Sequence, residues 1–215
     1  MRNNDESRDF ELHSRQIRSL LKFANLNSKD IFYDLGCGTG KIILQVVKQT
    51  NVQKVIGIEN CRKNYRKARE RINSFLKRNI KEIDRIDIWF GDIEDYDISD
   101  GTVIFNSINE EEDTVKSYKS QFKKKRRKII TKDLPFVGYK SKSNYESDDC
   151  WFFLMRYPFV RIRQKRLWLR LVNKDFTEFS KLYEYYENQL RDRDIARKQI
   201  VYALLELQKM VNRRF

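Results

Sequence analysis

Histidine is almost missing from this chain of 215 residues: His13 is the only one. Zinc centres built on histidine and cysteine clusters are thereby excluded. So is any Ser-His or Cys-His nucleophile scheme that does not run through His13. Cysteine is scarce too. Cys37, Cys61 and Cys150 are widely spaced and odd in number, which argues against a disulfide framework and for a reducing, intracellular compartment such as cytoplasm, nucleoid or nucleus. No apolar run approaches the roughly 18 residues of a membrane span. The N-terminus, MRNNDESRDF, is polar and mixed in charge, unlike a secretory signal. The expectation is a protein that is neither secreted nor held in a membrane.

Charge, by contrast, is abundant and one-sided. There are 45 Lys+Arg against 31 Asp+Glu, a formal net charge of +14. An excess of this size favours an acidic partner: nucleic acid (DNA or RNA), a nucleoprotein or an anionic membrane surface. The cations are concentrated at KKKRRK (123–128), at Arg161, Arg163, Lys165, Arg166 and Arg170, and at the C-terminal arginines.

Apolar patterning divides the chain. Short apolar runs at 31–35, 54–59, 85–92, 102–107 and 127–135 alternate with helical stripes at 10–24, 41–50, 61–78 and 110–122. Strands alternating with helices imply βαβ units and a parallel sheet with helices on both faces, an α/β architecture. Residues 136–150 are polar and read as a loop. CWFFLMRYPF and KRLWLRLV then read as a C-terminal antiparallel hairpin, giving seven strands in all. From Asp175 the chain reads as helix, with Ile195, Ile200, Leu204, Leu207 and Val211 on one side of 192–214. The expected organisation is one domain over 1–173 and a basic helical extension over 174–215.

In an open parallel sheet, ligands bind outside the carboxyl ends of the strands. The first such end is YDLGCGTGK (33–41), where Gly36, Gly38 and Gly40 bring the backbone close to a ligand. An acid, Asp34, stands two residues before the first glycine. It would repel a pyrophosphate and attract an ammonium group. Glu59, 25 residues later, closes the second strand and suits two ribose hydroxyls. Asp92 can accept from an adenine amino group, while Ile93 packs on the ring. An ammonium, a ribose diol and an adenine amine together describe S-adenosylmethionine.

The segments DLGCGTG, GIE and GD, in this order and spacing, resemble class I S-adenosylmethionine-dependent methyltransferases. FYDLGCGTGKIILQVVKQTN, GIENCRKNY, VIFNSI and KIITKDLPF resemble more narrowly the disruptor-of-telomeric-silencing (DOT) family of histone-lysine methyltransferases and its small archaeal protein-lysine relatives. The resemblance implies a seven-stranded Rossmann-like methyltransferase sheet with S-adenosylmethionine as cofactor. It places Glu11, Asp34, Gly36, Cys37, Gly38, Gly40, Glu59, Asn60, Asp92, Ile93 and Asn106 around the cofactor, and Asn106 and Ser107 beside the reacting amine.

The match is partial at two points. The family's Asn-Asn-Phe segment is Asn106-Ser107-Ile108 here, and of its Tyr-Gly-Glu-Thr loop only Glu11 remains. The implied acceptor is a lysine amine of a nucleic-acid-associated, chromatin-like protein. An ordinary lysine pKa of about 10.4 requires a channel that favours the neutral amine. Phe136, Tyr139 and Trp151 are candidate walls for that channel. An RNA methyltransferase, and a nucleic-acid-binding protein with a vestigial cofactor pocket, are the alternatives.

Overall fold

The structure, a computed structural model, describes residues 11–107, 121, 127–132, 142–147 and 150–156. Its elements are α1 (Ser14–Ala24), β1 (Ile31–Leu35), α2 (Lys41–Gln49), β2 (Lys54–Glu59), α3 (Arg62–Leu76), β3 (Ile86–Phe90), β4 (Val103–Asn106), β5 (Lys128–Lys132), β6 (Ser143–Ser147) and β7 (Cys150–Arg156).

The strands form one sheet in the order β3-β2-β1-β4-β5-β7-β6. The pairs among β1 to β5 are parallel. β7 runs antiparallel to β5, and β6 antiparallel to β7. Strand order therefore reverses between β1 and β4. That reversal opens a crevice at the carboxyl edge, where doubly wound sheets bind ligands. Leu35 of β1 stands beside Asn106 of β4 at this point.

Register divides the side chains between two faces. Phe32, Val55, Val103, Phe105, Ile130 and Leu154 share one face with the buried residues of α1 and α2. Ile72 of α3 belongs to the same cluster, and Phe75 and Leu76 pack against it. The helical stripes expected from sequence explain this packing: Ile17, Leu20, Leu21 and Ala24 of α1 and Ile42, Ile43, Val46 and Val47 of α2 are all buried. Phe105 and Phe152 meet edge to face at 6.2 Å. Truncating an aromatic of this kind costs roughly 3–5 kcal/mol. The opposite face carries Tyr33, Leu35, Ile56, Ile58, Ile104, Ile129 and Met155. All three described α-helices lie on the first face, and the helix read at 110–122 falls outside the described residues apart from Gln121.

Helix α1 ends at Asn25 in a left-handed conformation, φ 46°. The Lys128 ammonium donates to the carbonyls of Ala24 and Asn25, at 2.8 and 2.9 Å. A cation on the last carbonyls complements the negative end of the helix, and here it ties α1 to β5.

The C-terminal hairpin departs from the sequence reading. The stretch read as a loop contains β6, and β6 rather than KRLWLRLV is the antiparallel partner of β7. KRLWLRLV and the helical extension lie outside the described residues. The reason for the misreading is physical. β6 is SNYES, a sheet-edge strand in which Ser143 and Tyr145 are exposed. Edge strands stay polar because unpaired backbone flanked by apolar side chains invites pairing with other chains. Among the described residues, no helix is long and apolar enough to cross a membrane.

Candidate active site

The turn after β1 forms because three glycines take up positive φ: Gly36 at 74°, Gly38 at 55° and Gly40 at 74°. Two N–H groups of the turn, Gly36 and Cys37, donate to the Ile58 carbonyl at 2.9 and 3.0 Å. The Gly40 N–H donates back to the Cys37 carbonyl at 2.9 Å, and Gly40 then caps α2. The glycines differ in what surrounds them. A Cβ at Gly40 would lie 3.2 Å from Cβ of Ala68 on α3, so this glycine lets the turn press against the helix. A Cβ at Gly38 would meet nothing within 4 Å among the described residues. The space over Gly38 is open to a ligand.

Asp34 is fully buried at the penultimate position of β1, and neither of its carboxylate oxygens has a hydrogen-bond partner among the described residues. Burial, reinforced by the negative charge of Glu59, pushes its pKa up from 3.8 to about 8. An unpartnered buried carboxyl group is costly. A cationic group reaching it, directly or through an ordered water, supplies what both oxygens lack.

Glu59 is buried at the end of β2, on the same sheet face as Asp34. One of its oxygens accepts the Gly38 N–H at 2.7 Å, and the other accepts the Cys61 N–H at 2.8 Å. Each carboxylate oxygen has two lone pairs, so both retain capacity for a ribose hydroxyl. The same side chain fixes the glycine turn and the start of α3. Asn60, next along, donates from Nδ2 to Asp92 Oδ1 at 2.7 Å. This bond joins the loops after β2 and β3. Asp92 precedes a 3-10 turn, Ile93–Asp95, and Ile93 packs half-buried against the second-face cluster.

Cys37 takes part through its backbone. Its side chain is turned into the core, where a Cβ at Gly57 would lie 2.7 Å from Sγ. Burial pushes the thiol pKa upward, and Asp34 and Glu59 add to the shift. Such a thiol is inert toward electrophiles.

Glu11 reaches the glycine turn from outside. Its carboxylate accepts the Thr39 hydroxyl. Arg71 of α3 donates to the Thr39 carbonyl at 3.0 Å and to its hydroxyl, and lies 3.8 Å from the Glu11 carboxylate. Sequence reasoning missed Thr39 and Arg71. Thr39 sits inside the quoted glycine motif and was open to notice, whereas Arg71 lies 32 positions downstream among other basic residues and no local pattern singles it out.

Asn106 ends β4 in full burial, and Ser107 follows it half-buried. Register sets Asn106 between Leu35 and Thr131. It therefore faces the side of the sheet opposite Asp34 and Glu59. The Thr131 hydroxyl is buried without a hydrogen-bond partner among the described residues. Ile108, Phe136 and Tyr139 lie outside those residues, as does the side chain of Trp151. No group of three or more His, Cys, Asp or Glu among the described residues is arranged to hold a metal.

The profile of the family described as Histone methylation protein DOT1 matches residues 9–91. A protein-lysine N-methyltransferase of Saccharolobus islandicus is 36% identical over 88 residues, covering 41% of this chain and 52% of that protein. A carboxy-S-adenosyl-L-methionine synthase of Helicobacter pylori is 31% identical over 67 residues, 31% of this chain and 28% of that protein. The chain thus spans about half the length of the first relative and less of the second. In fold it resembles an RNA methyltransferase of Salinibacter ruber, solved with S-adenosyl-L-homocysteine, with a TM-score of 0.58 at 16% identity over 73% of this chain and 97% of that one. The chain thus resembles class I S-adenosylmethionine-dependent methyltransferases, and among them DOT1 and its archaeal relatives. The matched segment contains the glycine turn, Glu59 and Asn60. S-adenosylmethionine is the cofactor these relatives support, and the partnerless Asp34 and the open space over Gly38 fit it.

Proposed function

We propose that this chain is an S-adenosylmethionine-dependent methyltransferase acting on lysine amines of a nucleic-acid-associated protein. The observation that carries the enzyme reading is the orphaned Asp34 carboxyl beneath an open glycine turn. Kinship with an archaeal protein-lysine N-methyltransferase supports lysine as the acceptor.

The bound cofactor supplies an electrophilic methyl group on a sulfonium. The protein's part is binding, orientation and exclusion of water. Asp34 offers negative charge to the cofactor's ammonium end. Glu59 accepts from its ribose, and the Asn60–Asp92 pair with Ile93 borders the adenine. Asn106, held by β1 on one side and β5 on the other, presents a neutral amide that can accept from an amine N–H. An amide does not hold a lysine in its charged form as a carboxylate would, which suits an acceptor that must react neutral. On this reading the proton of the lysine passes to solvent before transfer.

An RNA acceptor is the second reading, favoured by the +14 net charge. The two are separated by incubating the protein with methyl-labelled S-adenosylmethionine and cell extract, with and without nuclease, and asking where the label goes. Label on lysine supports the first reading. Label in RNA overturns the acceptor and keeps the cofactor.

A further inference from the structure

Helix α3 is built against its own electrostatics. It carries six basic residues and one acid, Glu70. No acid stands in its first turn, where a carboxylate would complement the positive end of the helix. Arg62 and Lys63 stand there instead. Arg62 and Arg66, and Lys63 and Lys67, are like-charged neighbours at i,i+4, a spacing that costs stability. Among the described residues, Arg62, Lys63, Arg66, Lys67 and Arg69 form no ion pair with a carboxylate.

Two of these arginines lie on aromatic rings. The Arg62 guanidinium sits 5.3 Å from the centre of the Phe90 ring, and Arg69 sits 5.9 Å from that of Tyr65. Phe90 and Tyr65 contact each other at 5.1 Å. Phe90 ends the edge strand β3 and is 39% exposed, an unusual site for a large apolar ring. The result is a file, Arg62–Phe90–Tyr65–Arg69, with Lys63, Arg66 and Lys67 exposed on the same helix. It starts at the first residue of α3, one position beyond the Cys61 N–H that Glu59 holds.

We propose that this surface of α3 and β3 binds a single-stranded nucleic-acid segment. Cations held apart from carboxylates suit phosphates. Guanidinium planes, the exposed Phe90 ring and the half-buried Tyr65 ring in one file suit stacked bases, and single-stranded sites combine cations with such rings. In sequence this stretch is separate from the basic clusters at 123–128 and beyond residue 160. It does not depend on which acceptor is methylated.

The test is fluorescence anisotropy of the full chain with a labelled single-stranded oligouridylate across a salt series. The triple variant R62Q/R66Q/K67Q is expected to bind about tenfold or more weakly and to flatten the salt slope by about 2. F90A is expected to weaken binding by about tenfold, through lost stacking. R15Q/R18Q/K22Q removes the same charge from the exposed side of α1, and should bind nearly as wild type. Equal losses in the two triple variants overturn the proposal, as does wild-type protein that fails to bind at low salt. F90A binding as wild type overturns the stacking. A thermal shift with S-adenosylmethionine on the same variants keeps cofactor binding a separate question: α3 variants that lose the oligonucleotide and keep the cofactor place the two sites apart.

Discussion

At the ends of β1 and β2 the sheet presents two buried carboxyl groups, Asp34 and Glu59; at the ends of β4 and β5 it presents an amide and a hydroxyl, Asn106 and Thr131. These two halves of one edge face opposite sides of the sheet. In the first, Glu59 accepts backbone N–H groups on two sides, while Asp34 beside it is left for a cation to ionise. The Asn106 and Thr131 side chains of the second are neutral, and the chain just beyond β4, Ile108 onward, lies outside the described residues. A charged half suits a ligand whose cation is fixed. A neutral half suits an acceptor that must shed its charge before it reacts.

The largest expected effect separates the halves directly. Asp34→Asn removes the negative charge offered to the cofactor and should weaken S-adenosylhomocysteine binding by about tenfold to a hundredfold, the scale of a charge-assisted hydrogen bond. Isothermal titration gives the number. The same substitution should raise the melting temperature of the ligand-free protein at pH 8, because it removes an orphaned ionisable group from the interior. A variant that binds normally would make the two halves alike.

Asn106→Ala should act the other way round. Turnover on a verified acceptor falls by about tenfold or more, on the scale of one lost positioning hydrogen bond. Cofactor affinity stays within about twofold. Single-turnover kinetics beside equilibrium titration would show the split. Loss of both together would mean that Asn106 serves the cofactor half.

Within this half, the last two glycines of the turn should respond differently. Gly40→Ala forces an L residue to φ 74° against Ala68. It should cost about 2 kcal/mol, from left-handed strain of about 1–2 kcal/mol plus the contact. Gly38→Ala meets no neighbour and should cost about 1–2 kcal/mol, yet it fills the space offered to the cofactor. Chemical denaturation and ligand titration of both variants would rank them in opposite orders.

The smallest effect is a pH slope. Folded, ligand-free protein keeps the Asp34 proton until pH about 8, whereas the unfolded chain loses it near 3.8. The folded state therefore binds more protons across that window, and stability falls as pH rises through it. A cation beside Asp34 favours the ionised form. Cofactor affinity should then rise with pH up to about 8, with release of up to about one proton on binding at lower pH. Titration calorimetry at pH 7 in buffers of different ionisation heat measures that proton. No buffer dependence would mean that Asp34 does not change ionisation on binding.

The anionic half was legible in the sequence because its parts are local. A strand, an acid, three glycines and a helix follow one another within about ten residues, and each residue type has one main physical use there. What was not legible is what folding brings from afar. Arg71 reaches Thr39 across 32 positions, and Asn60 reaches Asp92 across the same number. The side-chain direction of Cys37 was hidden too. Its neighbours in sequence are glycines of the turn, but its neighbour in space is Gly57. β6 was missed because an edge strand need not be apolar.

That last strand has a bearing on how the protein behaves at high concentration. β7 carries four buried residues in succession, Phe152 to Met155. With β6 absent, it would offer its backbone and its apolar side chains together at the sheet's margin. SNYES takes up those hydrogen bonds and hands the margin over to serines and a tyrosine that packs on Phe23, 5.9 Å away. A strand with almost no apolar weight of its own thus acts as a selvedge, and an internal deletion of Ser143–Ser147 that keeps β7 would fray the sheet into self-association before it touched the cofactor cradle.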